Sequence, residues 1–120
     1  MRLGYARVST DEQELRLQVD ALHAAGCERI FNDKDSGKAV ANRGLKEALA
    51  FAREGDTLVV WKLDRLGRSV KGLIDLAAEL DARKVHLQSI TDRIDGQGPS
   101  GRFFFHMLAA MAEMERALML

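Results

Sequence analysis

Apolar and polar residues follow the chain in alternating blocks that predict strands separated by helices. The strands are predicted at 3–9, 29–33, 56–63 and 85–90, and the helices at 10–26, 44–54 and 70–84. Strands that alternate with helices of about 10–15 residues are typical of a parallel sheet. We therefore predict an α/β fold: a mostly parallel central sheet of four to five strands with helices on both faces.

The last segment, 101–120, breaks this pattern and reads as one long helix, for which Ser100 is the expected N-cap. Because a small domain covers only one side of a helix, we expect the other side to meet a second subunit. The alternative is a central helix buried within the monomer. Four polar side chains fall on one stripe about 80° wide, and nearly all of the remaining circumference is apolar; the four are Arg102, His106, Glu113 and Arg116.

The expected organisation is an α/β catalytic core over 1–100, followed by the start of a long oligomerisation helix over 101–120. The sequence stops within that helix, without a C-cap or a helix breaker, so we expect more chain downstream. A single cysteine, Cys27, and the lack of an apolar N-terminal leader favour a reducing, cytoplasmic location. No apolar run reaches the roughly 20 residues needed to span a bilayer.

The formal net charge is zero, with 18 basic and 18 acidic residues. Non-specific binding to nucleic acid follows the number of phosphates that a protein neutralises, so this domain alone should bind DNA weakly. Its basic residues are 12 Arg and 6 Lys. Arginine binds phosphate oxygens through two parallel hydrogen bonds, so this imbalance is a weak indication of phosphate contacts.

The first strand ends in Arg7 and Ser9, which should point to the same side of the sheet because alternate strand residues share a face. A guanidinium beside a hydroxyl at the carboxyl end of a strand suits a phosphate site. The alternative is local: Ser9 with Glu12, and Thr10 with Gln13, each match a capping box at the start of the next helix.

The third strand is followed by "DRLGRS", which places Asp64, Arg65 and Arg68 close together. If this stretch opens a helix, two guanidiniums lie where the macrodipole disfavours positive charge. They make sense there if an anion is held between them and the backbone N–H groups. The alternative is structural: Asp64 caps the helix and pairs with the arginines.

If the first and third strands are neighbours, their carboxyl ends bring a serine, three arginines and one carboxylate to one site. No histidine lies near Ser9 in the sequence, which makes acyl transfer a poor candidate. The three histidines show no paired metal-ligand spacing, and we expect no metal or cofactor. Fixed guanidiniums that meet charge developing on a phosphoryl group favour phosphoryl transfer to serine.

Five segments carry a family resemblance: "GYARVSTDEQ", "DKDSGK", "GDTLVVWKLDRLGRS", "SITDRID" and "GRFFFHMLAAMAEMER". Together they resemble the catalytic domain of the serine site-specific recombinases from residue 2 to residue 120. Within that family the chain is most similar to the DNA invertases, with the transposon resolvases close behind. These are proteins of bacteria, phages and mobile elements.

The resemblance implies that Ser9 attacks a DNA phosphodiester, forms a 5′-phosphoserine link and frees a 3′ hydroxyl. The bond energy is kept, so strands are exchanged and resealed without ATP, metal or cofactor. Arg7, Arg65 and Arg68 would bind the scissile phosphate, and Asp64 would orient an arginine or assist proton transfer. Further active-site positions of the family match Gln18 and Arg116.

The resemblance also implies the partners: double-stranded DNA at paired recombination sites, and a homodimer that forms a synaptic tetramer through the 101–120 helix. An accessory DNA-bending protein is a possible third partner. The helix-turn-helix domain that would read the DNA site is absent from this sequence. Inversion, resolution and transposition are not distinguished.

One position departs from the family, which usually has an arginine three residues before the leucine that ends the "SG" loop. Counted back from Leu45, this position is Asn42, and Arg43 falls one place later. Either Arg43 reaches the phosphate from a shifted loop, or one cationic contact is missing. The second case favours the alternative function, a non-catalytic assembly module of the same fold. A nucleotide-binding domain ranks last, because no glycine-rich loop follows the first strand.

Overall fold

The computed structural model describes residues 1–9, 11–34, 42–66, 70–95 and 98–118. The strands are β1 (Arg2–Val8), β2 (Arg29–Lys34), β3 (Thr57–Val60), β4 (His86–Ser89) and β5 (Ile94–Asp95). The helices are α1 (Glu12–Ala24), α2 (Arg43–Phe51), α3 (Val70–Ala82) and α4 (Pro99–Leu118). A single 3-10 turn, Leu63–Arg65, follows β3.

The five strands form one sheet in the order β2-β1-β3-β4-β5. β1 pairs in parallel with both β2 and β3, and β3 pairs in parallel with β4. Only the short β5 is antiparallel to its neighbour. The predicted α/β architecture with a mostly parallel sheet is confirmed, and β1 lies beside β3 as the candidate site requires.

Helices cover both faces of the sheet, as predicted. One face packs Leu3, Tyr5 and Leu58 against apolar residues of α2, α3 and α4. The other face packs Ala6 and Val59 against α1. Because side chains alternate along β1, Arg7 and Ser9 belong to the face of Leu3 and Tyr5, whereas α1 lies behind that strand.

Cys27 lies in the turn between α1 and β2, where it is buried and unpaired. Burial raises the pKa of its thiol, which disfavours the thiolate. The turn itself is closed by Gly26, whose φ of 86° only glycine adopts at little cost.

Several helix boundaries differ from the prediction: α1 ends at Ala24 rather than at 26, and α2 ends at Phe51 rather than at 54. α3 ends at Ala82 rather than at 84, because Lys84 takes a left-handed φ of 58° and the Val85 N–H bonds to the Leu80 carbonyl. α4 begins at Pro99, so Ser100 lies inside the helix and is not its N-cap. The Gly98 carbonyl accepts the first helical hydrogen bond, from Arg102, and proline suits the first helical position.

One side of α4 packs on the core through Gly101, Phe105 and Leu108. A second side is apolar and exposed, and we call it the outer stripe. At 100° per residue its members span about 80° of the helix circumference. They are Phe103, Met107, Met111, Met114 and Leu118, which are 39–75% exposed. The helix is therefore apolar on two sides, and the described domain covers only one of them.

None of the described helices combines the length and the hydropathy that crossing a bilayer requires.

Candidate functional site

The carboxyl ends of β1 and β3 meet through the side chain of Arg7. This residue is only 9% exposed, and its Nη2 donates a hydrogen bond of 2.9 Å to the backbone carbonyl of Asp64. A guanidinium bond to a carbonyl ties the strand that carries Ser9 to the 3-10 turn that carries Asp64 and Arg65. The structure therefore brings the two sequence motifs together, as expected if β1 and β3 are neighbours.

Ser9 is the first residue after β1, and it is exposed. It does not cap α1: the N-cap is Asp11, whose Oδ1 accepts hydrogen bonds from the backbone N–H groups of Gln13 and Glu14 at 2.9 and 3.3 Å. Within the described residues, the Ser9 hydroxyl makes no hydrogen bond. The purely local explanation of Ser9 as a helix cap is therefore wrong. Thr10, the other capping candidate, lies outside the described residues.

Gln18 fixes the backbone of β1 from behind. It is fully buried on α1, its Oε1 accepts from the Arg7 N–H at 3.2 Å, and its Nε2 donates to the Arg7 carbonyl at 3.0 Å. A side-chain amide thus satisfies both backbone polar groups of one residue, as a neighbouring strand would. The sequence predicted Gln18 as a site residue by resemblance alone, and this geometry gives it a positioning task.

The 3-10 turn is held from the far side by the loop after β4. An Asp92 carboxylate oxygen accepts from the Leu63 N–H at 2.9 Å and from the Ser89 hydroxyl at 2.6 Å. The Thr91 hydroxyl donates to the Trp61 carbonyl at 2.6 Å. Of "DRLGRS", Asp64 and Arg65 thus lie in this 3-10 turn, whereas the residues between Leu66 and α3 lie outside the described part of the chain.

Within this turn, the two candidate side chains have different surroundings. Asp64 is exposed, and its carboxylate makes no ion pair or hydrogen bond with the described residues. Arg65 is half-buried, and its Nη2 forms an ion pair with Oε1 of Glu14, in the first turn of α1. The Nε of Arg65 is a buried donor that has no partner in the described part of the chain.

Asp33, a residue that the sequence reading missed, joins β2 to the start of α2. It lies directly across from Arg7 in the sheet and is 6% exposed. Its carboxylate accepts from the Gly44 N–H at 2.7 Å, the Leu45 N–H at 3.1 Å and the Tyr5 hydroxyl at 2.7 Å. The available signal was an aspartate at the carboxyl end of a strand.

The approach of α2 to β2 also requires glycine at position 44. A Cβ there would lie 2.2 Å from the Asn32 carbonyl oxygen, which no side chain can tolerate. Asn42, just before the helix, makes no capping hydrogen bond through its side chain. Arg43 is 92% exposed, and its Nε lies 3.5 Å from Oε1 of Glu47 along the same helix. In this structure the Arg43 side chain therefore runs along α2.

Two candidate residues cannot be placed. Arg68 lies outside the described residues, and the side chain of Arg116, on α4, is not described. The described part of the site thus holds Arg7, Ser9, Asp64 and Arg65, with Gln18 behind them.

A family model described as the resolvase N-terminal domain matches residues 2–120. The DNA-invertase hin of Salmonella typhimurium is 57% identical over 116 residues, which are 97% of this chain and 61% of that protein. The serine recombinase gin of Escherichia phage Mu is also 57% identical, over all of this chain and 62% of its own length. The chain therefore spans about three fifths of the length of these curated relatives.

Solved structures show the same fold. The N-terminal catalytic domain of TP901-1 integrase covers both chains fully, with a TM-score of 0.71 and 27% sequence identity. A resolvase-family site-specific recombinase from Streptococcus pneumoniae has a TM-score of 0.74 and 23% identity over 97% of this chain and 87% of its own. The arrangement of sheet and helices described above is thus that of these catalytic domains.

Because the Gln18 side chain makes two hydrogen bonds to the Arg7 backbone, we predict that its removal lowers the free energy of unfolding. Gln18→Ala leaves a buried N–H and a buried C=O without partners, each costing about 1–3 kcal/mol. We expect the urea midpoint to fall clearly, whereas Gln13→Ala, on the exposed side of the same helix, should leave it nearly unchanged. Equal midpoints for the two variants would contradict the positioning role.

Proposed function

This chain belongs to the family of resolvase N-terminal domains, and from that premise we propose that it performs site-specific DNA recombination, inversion or resolution, with Ser9 as the nucleophile. The observation that supports this most directly is the exposed hydroxyl of Ser9, which caps no helix and follows the strand whose Arg7 guanidinium bonds to the turn of Asp64 and Arg65. These groups lie at the carboxyl ends of adjacent parallel strands, where ligands bind in open α/β sheets. The invertase and recombinase names of the relatives support the same activity.

In the proposed reaction, the Ser9 oxygen attacks the phosphorus of a DNA phosphodiester. The bond between Ser9 and phosphorus forms as the bond to the 3′ oxygen breaks, and the serine proton is finally carried by the 3′ hydroxyl. The product is a 5′-phosphoserine ester, which stores the energy of the broken bond. After strand exchange, a 3′ hydroxyl attacks this ester and releases Ser9, so no ATP is consumed.

The arginines would supply the charge that this reaction needs. Arg7 donates one N–H to Asp64, and the rest of its guanidinium is available to a phosphate oxygen. Arg65 sits on a turn that is fixed from two sides, so its backbone needs no rearrangement when DNA binds. Preorganised cations of this kind stabilise the negative charge that builds on the phosphoryl oxygens in the transition state.

We assign the remaining candidates by the same logic. Arg68 and Arg116 would complete the phosphate site, and Asp64 would orient an arginine or assist proton transfer. Gln18 acts as a positioning residue through Arg7. Arg43 would join only if its side chain left Glu47 and turned toward the strand ends.

The partners in this proposal are double-stranded DNA at paired sites and further copies of this chain. The outer stripe of α4 is an unpartnered apolar surface of the kind that subunit interfaces use. Two copies would pair through it, and two dimers would form the tetramer in which strands are exchanged.

A second candidate function is an assembly module without catalysis. It is favoured by one observation: where the family usually has an arginine, this chain has Asn42, and the neighbouring Arg43 pairs with Glu47 on the surface of α2. Removing one positioned donor commonly costs 10²–10³ in rate. The module would still bind and pair sites.

The test of the proposed function joins this chain to a DNA-binding domain of known specificity and presents supercoiled DNA with paired sites. We expect a protein–DNA adduct that survives denaturing electrophoresis, because the phosphoserine ester is covalent. Ser9→Ala should abolish it, since no other group in the mechanism can form the ester. Ser100→Ala, which removes a hydroxyl from α4, serves as the matched control.

Absence of the adduct, with binding and pairing of sites intact, would contradict the enzymatic proposal for the natural sequence. Asn42→Arg then separates the two candidate functions. Adducts that appear only in this variant identify a recombinase that lacks one cation, whereas their continued absence favours the assembly module.

The outer stripe generates a prediction about association. Met107→Glu places a carboxylate in the middle of this apolar surface, so we expect light scattering to show a lower apparent mass than for the natural sequence at equal concentration. His106→Glu introduces the same group at an exposed neighbouring position outside the stripe. A concentration-independent monomer for the natural sequence would contradict the proposed interface.

A further inference from the structure

The ion pair between Glu14 and Arg65 is a contact that the proposed reaction does not use. Glu14 lies in the first turn of α1, five residues after Ser9, and Arg65 lies in the 3-10 turn after β3. Their side chains meet across 51 residues of sequence and are only 24% and 31% exposed. A partly buried pair is screened less by solvent and salt than a surface pair.

Both partners are held in place by their backbones. The Glu14 N–H is bonded to Asp11, the N-cap of α1, and the 3-10 turn is fixed through Arg7 and Asp92. The carboxylate of Glu14 is therefore built into the same strand–loop–helix unit that presents Ser9. An anion that binds the guanidinium of Arg65 through the paired Nη2 has to displace this carboxylate.

The pair leaves Arg65 incompletely satisfied. The contact runs through one oxygen of Glu14 and one Nη2, while the buried Nε has no partner among the described residues. A phosphodiester presents two anionic oxygens that match the arginine fork. The guanidinium can thus gain a better partner by exchanging the carboxylate for a phosphate.

We propose that Glu14 is an internal competitor for the DNA phosphate: it neutralises Arg65 in the DNA-free protein and must release it before the scissile phosphate can bind. This inference rests on the proposed function, because it assigns Arg65 to the phosphate. The Glu14–Arg65 pair would then regulate the site, because the free energy needed to break the pair weakens the binding of DNA. Contact with Ser9 is thereby restricted to phosphates that are held firmly enough to displace the carboxylate.

Glu12 provides a matched control for this proposal. It lies in the same first turn, and it also forms an ion pair, with Lys34 on β2. It is 65% exposed and does not contact Arg65. Glu12→Gln and Glu14→Gln therefore remove the same charge from the same helix end, and only the second frees the Arg65 guanidinium.

The experiment titrates the 120-residue chain with a 12-base-pair DNA duplex at low salt and follows the Arg65 Nε–H signal by NMR. We expect Glu14→Gln to bind the duplex about fivefold more tightly than Glu12→Gln, the effect of losing one ion pair of moderate strength. In an Arg65→Gln background this difference should vanish, because the competition acts through Arg65. The Arg65 signal of the DNA-free protein should move in Glu14→Gln and stay in place in Glu12→Gln.

Equal affinities for the two variants, or weaker binding by Glu14→Gln, would overturn the proposal; weaker binding would mean that Glu14 holds Arg65 in its productive position. The adduct assay on the joined protein keeps the two proposals apart. A Ser9-dependent adduct with equal affinities overturns the competition alone. Tighter binding by Glu14→Gln without any adduct overturns the recombinase assignment and leaves the competition standing.

Discussion

The parallel pairing of β1 with β3 is the constraint on which the rest of the site depends. It brings Ser9 and the 3-10 turn, 54 residues apart at their nearer ends, to the same edge of the sheet. The Arg7 guanidinium then closes the gap by binding the Asp64 carbonyl. Every other feature of the site acts on one side of this junction: Gln18 fixes β1, and Asp92 fixes the turn. The exposed Ser9 is thus carried on a buried support in which the Arg7 backbone and guanidinium are hydrogen-bonded.

Much of this arrangement could be predicted from the sequence, since apolar strands and helices alternate clearly enough to indicate a parallel sheet. Strand ends in such a sheet lie at one edge, so the meeting of Arg7, Ser9 and "DRLGRS" followed from topology. The cap of α1 could not be chosen in this way. Ser9, Thr10 and Asp11 are all residue types that can act as the N-cap of a helix. Which of them does so depends on where β1 ends, and the pairing of β1 with β2 extends as far as Val8.

Contacts between side chains that are far apart in the sequence could not be predicted, for a different reason. Asp33 and Glu14 each carry an ordinary carboxylate in a polar stretch, and nothing in the local pattern names their partners. Only the fold places Asp33 at the start of α2 and Glu14 beside Arg65. The end of α3 could not be predicted either. The helical pattern of the sequence continues to Lys84, but the left-handed conformation of this residue lies beyond the end of the helix.

In the proposed function, the charge of Arg65 is held in an ion pair with Glu14 until a phosphate displaces it. A chain with zero net charge gains no general attraction to DNA, and one of its site arginines is already paired. In the proposed function, tight binding to DNA would therefore need contacts beyond those of the described site.

The most direct measurement is the identity of the bond between protein and DNA. The covalent product, trapped on DNA that carries paired sites, is digested with trypsin and nuclease and sequenced by tandem mass spectrometry. We predict a nucleotide that is attached through its 5′ phosphate to the side-chain oxygen of Ser9. A nucleotide on Thr10 or on any other residue, or a link through a 3′ phosphate, would contradict it.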